Sequence, residues 1–273
     1  MDVEKKASDT IKKYNLLKKS DKVLVALSGG KDSTSVFYIL HKLGYNVEGL
    51  MIDLHLGDWS KKNRENMEKF CSELGVKFHI VDMKKEFGKG MCYIKAVLKK
   101  QKNMTGCSVC GIIKKWILNK WSKKLNADKI VTGHNLDDEC QTVLMNFLKG
   151  NVFLGVGSTP AAGFADLSGK HFVQRVKPMF FVPEEEIREY SKKKKLPVLY
   201  ERCPCAFGTY RTETRAWMDK LSDKEKIKVV EGFQNLIPSL RKKFNFDLNS
   251  CKTCGEPSRG ETCNACKIFD CLK

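Results

Sequence analysis

The junction Lys22-Val23-Leu24-Val25-Ala26-Leu27, running straight into Ser28-Gly29-Gly30-Lys31-Asp32-Ser33, does most to limit the folds open to this chain. Val23 to Leu27 have the length and branched content of a strand buried on both faces, as in a parallel sheet. Beyond the glycines, Val36, Phe37, Ile39, Leu40 and Leu43 recur at helical spacing, and Gly44 closes the segment as a C-cap does. The alternation continues, with strands expected at 46–54, 76–81 and 129–132 and helices near 61–74, 111–125 and 138–148. It predicts an α/β fold with a doubly wound, mostly parallel sheet.

Further along, 150–169 is rich in glycine with little periodicity and reads as a long loop that can serve as a lid. Strands are expected at 173–177 and 196–200, and Pro183-Glu184-Glu185-Glu186 puts proline and acids where a helix begins. Thr212 to Leu240 alternates apolar residues with lysines as amphipathic helices do. The 273 residues are therefore divided into an α/β domain (1–201), a helical extension (202–245) and a cysteine-rich ribbon (246–273).

Lysine and arginine number 50 against 32 acids, and the net +18 draws the chain toward polyanions, nucleic acid first. No apolar run approaches the roughly 18 residues of a membrane helix. The opening residues resemble no secretory leader, so a cytoplasmic protein without membrane attachment is expected. Twelve cysteines in such a protein point to metal or catalysis rather than disulfides.

Where a buried strand gives way to a helix, backbone N–H groups and the positive end of the helix dipole converge on one spot. Gly29 and Gly30 permit close approach of an anion, Ser28 and Ser33 offer hydroxyl donors, and Lys31 adds a point charge. A serine-capped tight turn would explain the glycines but not the lysine beside them. The Walker pattern fails because Val25 stands where its first glycine belongs, and the dinucleotide pattern fails because Gly29 and Gly30 are adjacent.

Cys107-Ser108-Val109-Cys110 and Cys203-Pro204-Cys205 suit either a four-thiolate zinc site or an iron–sulfur cluster, which spacing does not separate. In the tail, the pairs Cys251/Cys254 and Cys263/Cys266 have the spacing of a structural zinc ribbon, in a segment too short to fold on an apolar core of its own. Cys71, Cys92 and Cys140 are expected to be small core residues, and Cys271 receives no role.

The loop Ser28 to Ser33 resembles, at every position, the Ser-Gly-Gly-x-Asp-Ser pyrophosphate loop of the PP-loop ATP pyrophosphatase superfamily, whose fold is adenine nucleotide alpha hydrolase-like. Thr105 to Gly111, followed by Asp128-Lys129-Ile130-Val131-Thr132-Gly133-His134-Asn135-Leu136-Asp137-Asp138-Glu139, is similar to the tRNA 2-thiouridine synthetases (TtuA/NcsA-like thiolation enzymes). That resemblance runs from about Val23 to Cys266. It implies a tRNA sulfurtransferase that adenylates a tRNA uridine at C2 with ATP and inserts sulfur by way of a 4Fe-4S cluster on Cys107, Cys110 and Cys203. Cys205 stands as an alternative or additional ligand.

The resemblance further implies magnesium ATP held by Ala26, Ser28, Gly29, Gly30, Lys31, Asp32, Ser33, Ile52, Asp53, Lys114, Gly133 and Asp138. Catalysis would rest on Lys31, Asp32 and the three cluster cysteines, while Cys251, Cys254, Cys263 and Cys266 are expected to bind zinc. The acids at 137–139 would also suit a helix dipole without any metal. The partners expected are tRNA, a sulfur donor (sulfide or a sulfur-carrier protein) and a second copy in a homodimer. Family members commonly open with a zinc ribbon, whereas no cysteine here precedes Cys71. Two other functions compete: a zinc-bearing RNA-binding protein without thiolation activity, and a PP-loop enzyme that aminates its adenylated substrate.

Overall fold

The computed structural model describes residues 2–102, 106–162, 172–201, 203–204, 210–243 and 249–272. In chain order the elements are α1 (Val3–Lys13), β1 (Lys22–Ala26), α2 (Lys31–Lys42), β2 (Asn46–Asp53), α3 (Asp58–Glu73), β3 (Phe78–Asp82), α4 (Met83–Phe87), α5 (Met91–Lys102), α6 (Gly106–Lys124) and β4 (Lys129–Val131). They continue with α7 (Leu136–Leu148), β5 (Ala161–Ala162), β6 (Gln174–Val176), α8 (Glu184–Lys193), α9 (Tyr210–Met218), α10 (Asp223–Lys243), β7 (Asn249–Ser250), β8 (Pro257–Ser258) and α11 (Asn264–Asp270).

Six strands form one sheet in the order β3-β2-β1-β4-β6-β5; all pairs are parallel except the short antiparallel edge β5 on β6. The expected doubly wound α/β sheet is present, and its side chains alternate between two layers. Val23 and Val25 of β1 face a core built with Ala7, Val36, Phe37, Leu40, Met67 and Ile187 from α1, α2, α3 and α8. Leu24, one residue out of phase, faces Met91, Ile94, Ile113 and Ile117 from α5 and α6. The chain moves from β1 to β2 and β3 on one side, then returns to place β4 on the other side of β1. The carboxyl ends of β1 and β4 thus flank the reversal point, where open α/β sheets leave a crevice.

Several expectations are corrected. Residues 196–200 form no strand; Leu199 instead donates its N–H to the Gly29 carbonyl at 3.4 Å, so the segment lies over the glycine loop. Of the expected loop 150–169, residues 163–169 lie outside the described ones; the rest contains a 3-10 turn at Val152–Gly157, where Val156 packs with Phe233 of α10, and the edge strand β5. Helix α1, before the first strand, is not among the expected elements, since its apolar face is only Val3, Ala7 and Ile11, diluted by lysines. Cys71 and Cys140 are core residues, with burial pushing their thiols up to about 12 and about 11. Cys92 is exposed instead, since α5 turns Met91, Ile94 and Leu98 inward and leaves residue 92 outside. No helix among the described residues is long and apolar enough to cross a membrane.

The cysteine tail is not a free appendage. Phe269 of α11 stacks on Phe87 with ring centroids 5.0 Å apart and tilts against Trp116 of α6 at 5.6 Å. Glu256 accepts from Asn119 and, at 2.9 Å, from Lys123, both on α6. Replacing a packed phenylalanine with alanine costs about 3 kcal/mol. Phe269→Ala should therefore loosen the tail, speeding amide exchange across 249–272 while exchange in β1, β2 and β4 stays unchanged.

Candidate functional site

The turn between β1 and α2 is shaped by its own hydroxyls. Ser33 Oγ accepts from the Ser28 N–H at 3.1 Å and lies 3.0 Å from Ser28 Oγ, closing the loop on itself. Gly29 adopts φ +79°, and a Cβ there would fall 2.1 Å from Asn63 Oδ1. That oxygen is buried and has no hydrogen-bond partner among the described residues, while Asn63 Nδ2 donates to the Trp59 carbonyl at 2.9 Å. Gly133, just past β4, has the same kind of necessity: a Cβ would lie 2.6 Å from the Ser33 nitrogen and 2.7 Å from the Asp32 carbonyl carbon. The backbones after β1 and β4 are in direct contact.

Charge is concentrated on this contact. Asn135, the N-cap of α7, donates its side-chain amide to Asp32 Oδ1 at 3.0 Å, and Lys31 Nζ lies 3.0 Å from Asp32 Oδ2. Burial pushes the Asp32 carboxyl above its usual range and the charge of Asp138 adds to that, against the pull of Lys31 and Asn135. A carboxylate raised in this way by a neighbouring one is relieved by a divalent cation. The other two acids of α7 are committed elsewhere. Asp137 accepts from the Glu184 N–H at 2.7 Å and from Lys226 at 2.8 Å. Glu139 pairs with Lys177 at 2.6 Å and accepts from the Ser158 hydroxyl. His134 rests its Nδ1 2.8 Å from Thr132 Oγ1.

Beside the loop, one cavity is lined by Ser28, Met51, Ile52, Asp53, Leu54, Trp59, Ser60, Asn63 and Lys114. The structure thus brings together Ser28, Ile52, Asp53 and Lys114, which are far apart in sequence. Ala26 ends β1, half-buried. Lys114 lies one helical turn beyond Cys110 on α6, about 6 Å along the axis. Cys110 and Cys203 are both half-buried and pack on the same apolar cluster. Cysteine sulfur is the soft donor that an iron–sulfur group takes. The Cys107 side chain and Cys205 lie outside the described residues.

Cys251, Cys254, Cys263 and Cys266 bring their sulfurs within 4.8 Å of one another, with Cys254 and Cys263 3.7 Å apart. Tetrahedral zinc with 2.3 Å bonds sets sulfurs about 3.8 Å apart, so the donor set fits such a metal ion. The Cys263 N–H points at Cys251 Sγ at 3.2 Å. Although burial opposes ionisation of Cys251, the N–H groups of Cys263, Cys254 and Thr253 outweigh it and bring that thiol down to about 6. Trp116 Nε1–H donates to Cys254 Sγ at 3.5 Å, tying the sulfur cluster to α6.

Residues 1–201 match the PP-loop domain. A tRNA-5-methyluridine(54) 2-sulfurtransferase of Pyrococcus horikoshii is 36% identical over 278 residues, covering 99% of this chain and 85% of the relative. The chain belongs to the PP-loop family of tRNA 2-sulfurtransferases. It is an enzyme. Cytoplasmic tRNA 2-thiolation protein 1 of Drosophila melanogaster is 30% identical, with 96% of this chain and 77% of the relative covered. Among solved structures, the U34-tRNA thiolase NcsA of Methanococcus maripaludis with its [4Fe-4S] cluster superposes with TM-score 0.80 at 29% identity, covering 99% of this chain and 87% of that one.

Sequence reasoning missed Asn63, Glu184 and Arg215 as site residues. Asn63 carried a signal, a polar residue in the buried phase of α3 with Ser60, Met67 and Phe70. Glu184 reads as an ordinary first-turn acid, and its partners come from helices that only the fold brings near. The glycine contact generates a direct test. Gly133→Ala must push the loop backbone aside, a cost of about 1–3 kcal/mol that should weaken magnesium ATP binding roughly 5- to 150-fold by isothermal titration. Gly260→Ala, with open space around it, should leave binding unchanged.

Proposed function

We propose that this enzyme makes 2-thiouridine in tRNA, with ATP as the activating substrate. The observation that carries the reading is the placement of Lys114, which lines one cavity with Ser28 of the loop while standing one helical turn from Cys110. Nucleotide activation and sulfur delivery would then take place at adjacent ends of one crevice. The names of the relatives from Pyrococcus and Methanococcus support tRNA as the acceptor, and that of the Drosophila relative supports a cytoplasmic location.

The uracil O2 attacks the α-phosphorus of ATP, the bond from that phosphorus to its bridging oxygen breaks, and the electron pair leaves with pyrophosphate. Backbone N–H groups of Gly29 to Ser33 receive the phosphates, Lys31 offsets the charge developing on the leaving oxygen, and Asp32 with Asp138 would hold magnesium against it. The adenylated C2 is then open to hydrosulfide. A C–S bond forms, the C–O bond breaks, AMP departs with the base's original oxygen, and the sulfur's proton passes to water. A 4Fe-4S cluster on Cys107, Cys110 and Cys203 would leave one iron without a protein ligand, a soft site for that sulfide. Ile52, Asp53 and Lys114 would line the nucleoside end, and the tail cysteines would bind zinc and brace α6.

Cys203→Ala should keep tRNA binding and ATP-dependent pyrophosphate release but lose thiolation, measured by mass spectrometry of tRNA nucleosides after anaerobic reaction with sulfide. Cys205→Ala should retain some of all three. Thiolation surviving in Cys203→Ala but not in Cys205→Ala would move the third ligand to Cys205. Normal thiolation in both would defeat the cluster role.

A further inference from the structure

Lys31 is not alone in the phosphate site. Its ammonium lies 2.6 Å from Glu184 Oε1 at the start of α8, and the other oxygen of that carboxylate is in contact with the Arg215 guanidinium from α9. One carboxylate therefore separates two cations that come from opposite ends of the chain. Glu184 is fixed from behind, because Asp137 holds its N–H and is itself paired with Lys226 of α10. The three side chains are largely shielded, at 11% exposure for Lys31, 16% for Glu184 and 30% for Arg215. A secondary contact of Arg215, 3.9 Å to Asp219, is to the residue just past the end of its own helix.

From this we infer that Arg215 is a second cationic ligand for the pyrophosphate portion of ATP, held ready by Glu184, which occupies the place of a phosphate group when no nucleotide is bound. The inference rests on the Ser28–Ser33 loop being the phosphate site. A carboxylate offers two oxygens and one charge, whereas the β- and γ-phosphates offer more of both, so the incoming anion competes successfully for two cations that already converge. The planar guanidinium fork suits two oxygens at once, which Lys31 does not provide. As the bond from the α-phosphorus breaks, Arg215 would donate to the oxygens of the departing pyrophosphate. Helix α9 would thereby report on the nucleotide.

Isothermal titration of the full chain with inorganic pyrophosphate and magnesium tests this. Arg215→Ala should weaken binding at least about tenfold, the loss expected for one charged hydrogen-bond donor. Arg215→Lys should recover part of it, and Glu184→Gln, which removes the competing charge, should bind more tightly than the wild type. A merely structural ion pair would not give that tightening. If Arg215→Lys and Arg215→Ala bind pyrophosphate as the wild type does while Lys31→Ala does not, the inference fails and the loop assignment stands. Weaker binding by folded Glu184→Gln would also overturn it. If Lys31→Ala binds normally as well, the loop assignment itself is wrong.

Discussion

Contact between two backbones, Gly133 against Asp32 and Ser33, is the constraint on which the rest of the site depends. It locks the end of β4 to the loop that follows β1 at the point where the strand order reverses. With no side chain at 133, Asn135 can reach Asp32 from the cap of α7, and Asp138 comes near enough to raise that carboxyl. A larger residue at this position would separate the acids from the phosphate loop. The crevice is therefore a product of close approach, not of an excavated pocket.

Helix α6 links the cavity beside the glycine loop to the cysteine tail. Its first turns carry Cys107 and Cys110, Lys114 reaches the cavity beside Ser28, and Trp116, Asn119 and Lys123 contact the cysteine tail. The tail cysteines form a tight group of sulfurs, and their attachment through Trp116, Phe269 and Glu256 stiffens the outer length of the same helix. The cysteine tail thus braces a helix whose opposite end carries Cys107 and Cys110.

Much of this was legible in the residues. The strand from Lys22, the glycine turn and the helical spacing of Val36 to Leu43 are local patterns, and each became the element its period predicts. The four tail cysteines were legible for a similar reason, since short spacing alone nearly determines their approach. Residues 196–200 misled because their apolar character suits covering a loop as well as joining a sheet. Glu184 and Arg215 were not legible because their contacts depend on helices far apart in sequence meeting at one point, whereas Asn63 was marked only by its polar character in the buried phase of α3. Cys92 shows the limit of a residue-type argument: its exposure is decided by the phase of α5, not by being cysteine.

The central claim is that the tRNA base itself is adenylated through its C2 oxygen. It is tested most directly by following that oxygen. A tRNA carrying oxygen-18 at C2 of the target uridine, thiolated with ATP and sulfide under anaerobic conditions, should yield AMP that contains the heavy isotope in proportion to the 2-thiouridine formed. AMP without the label, alongside normal thiolation, would contradict activation at C2 and require another route for the nucleotide.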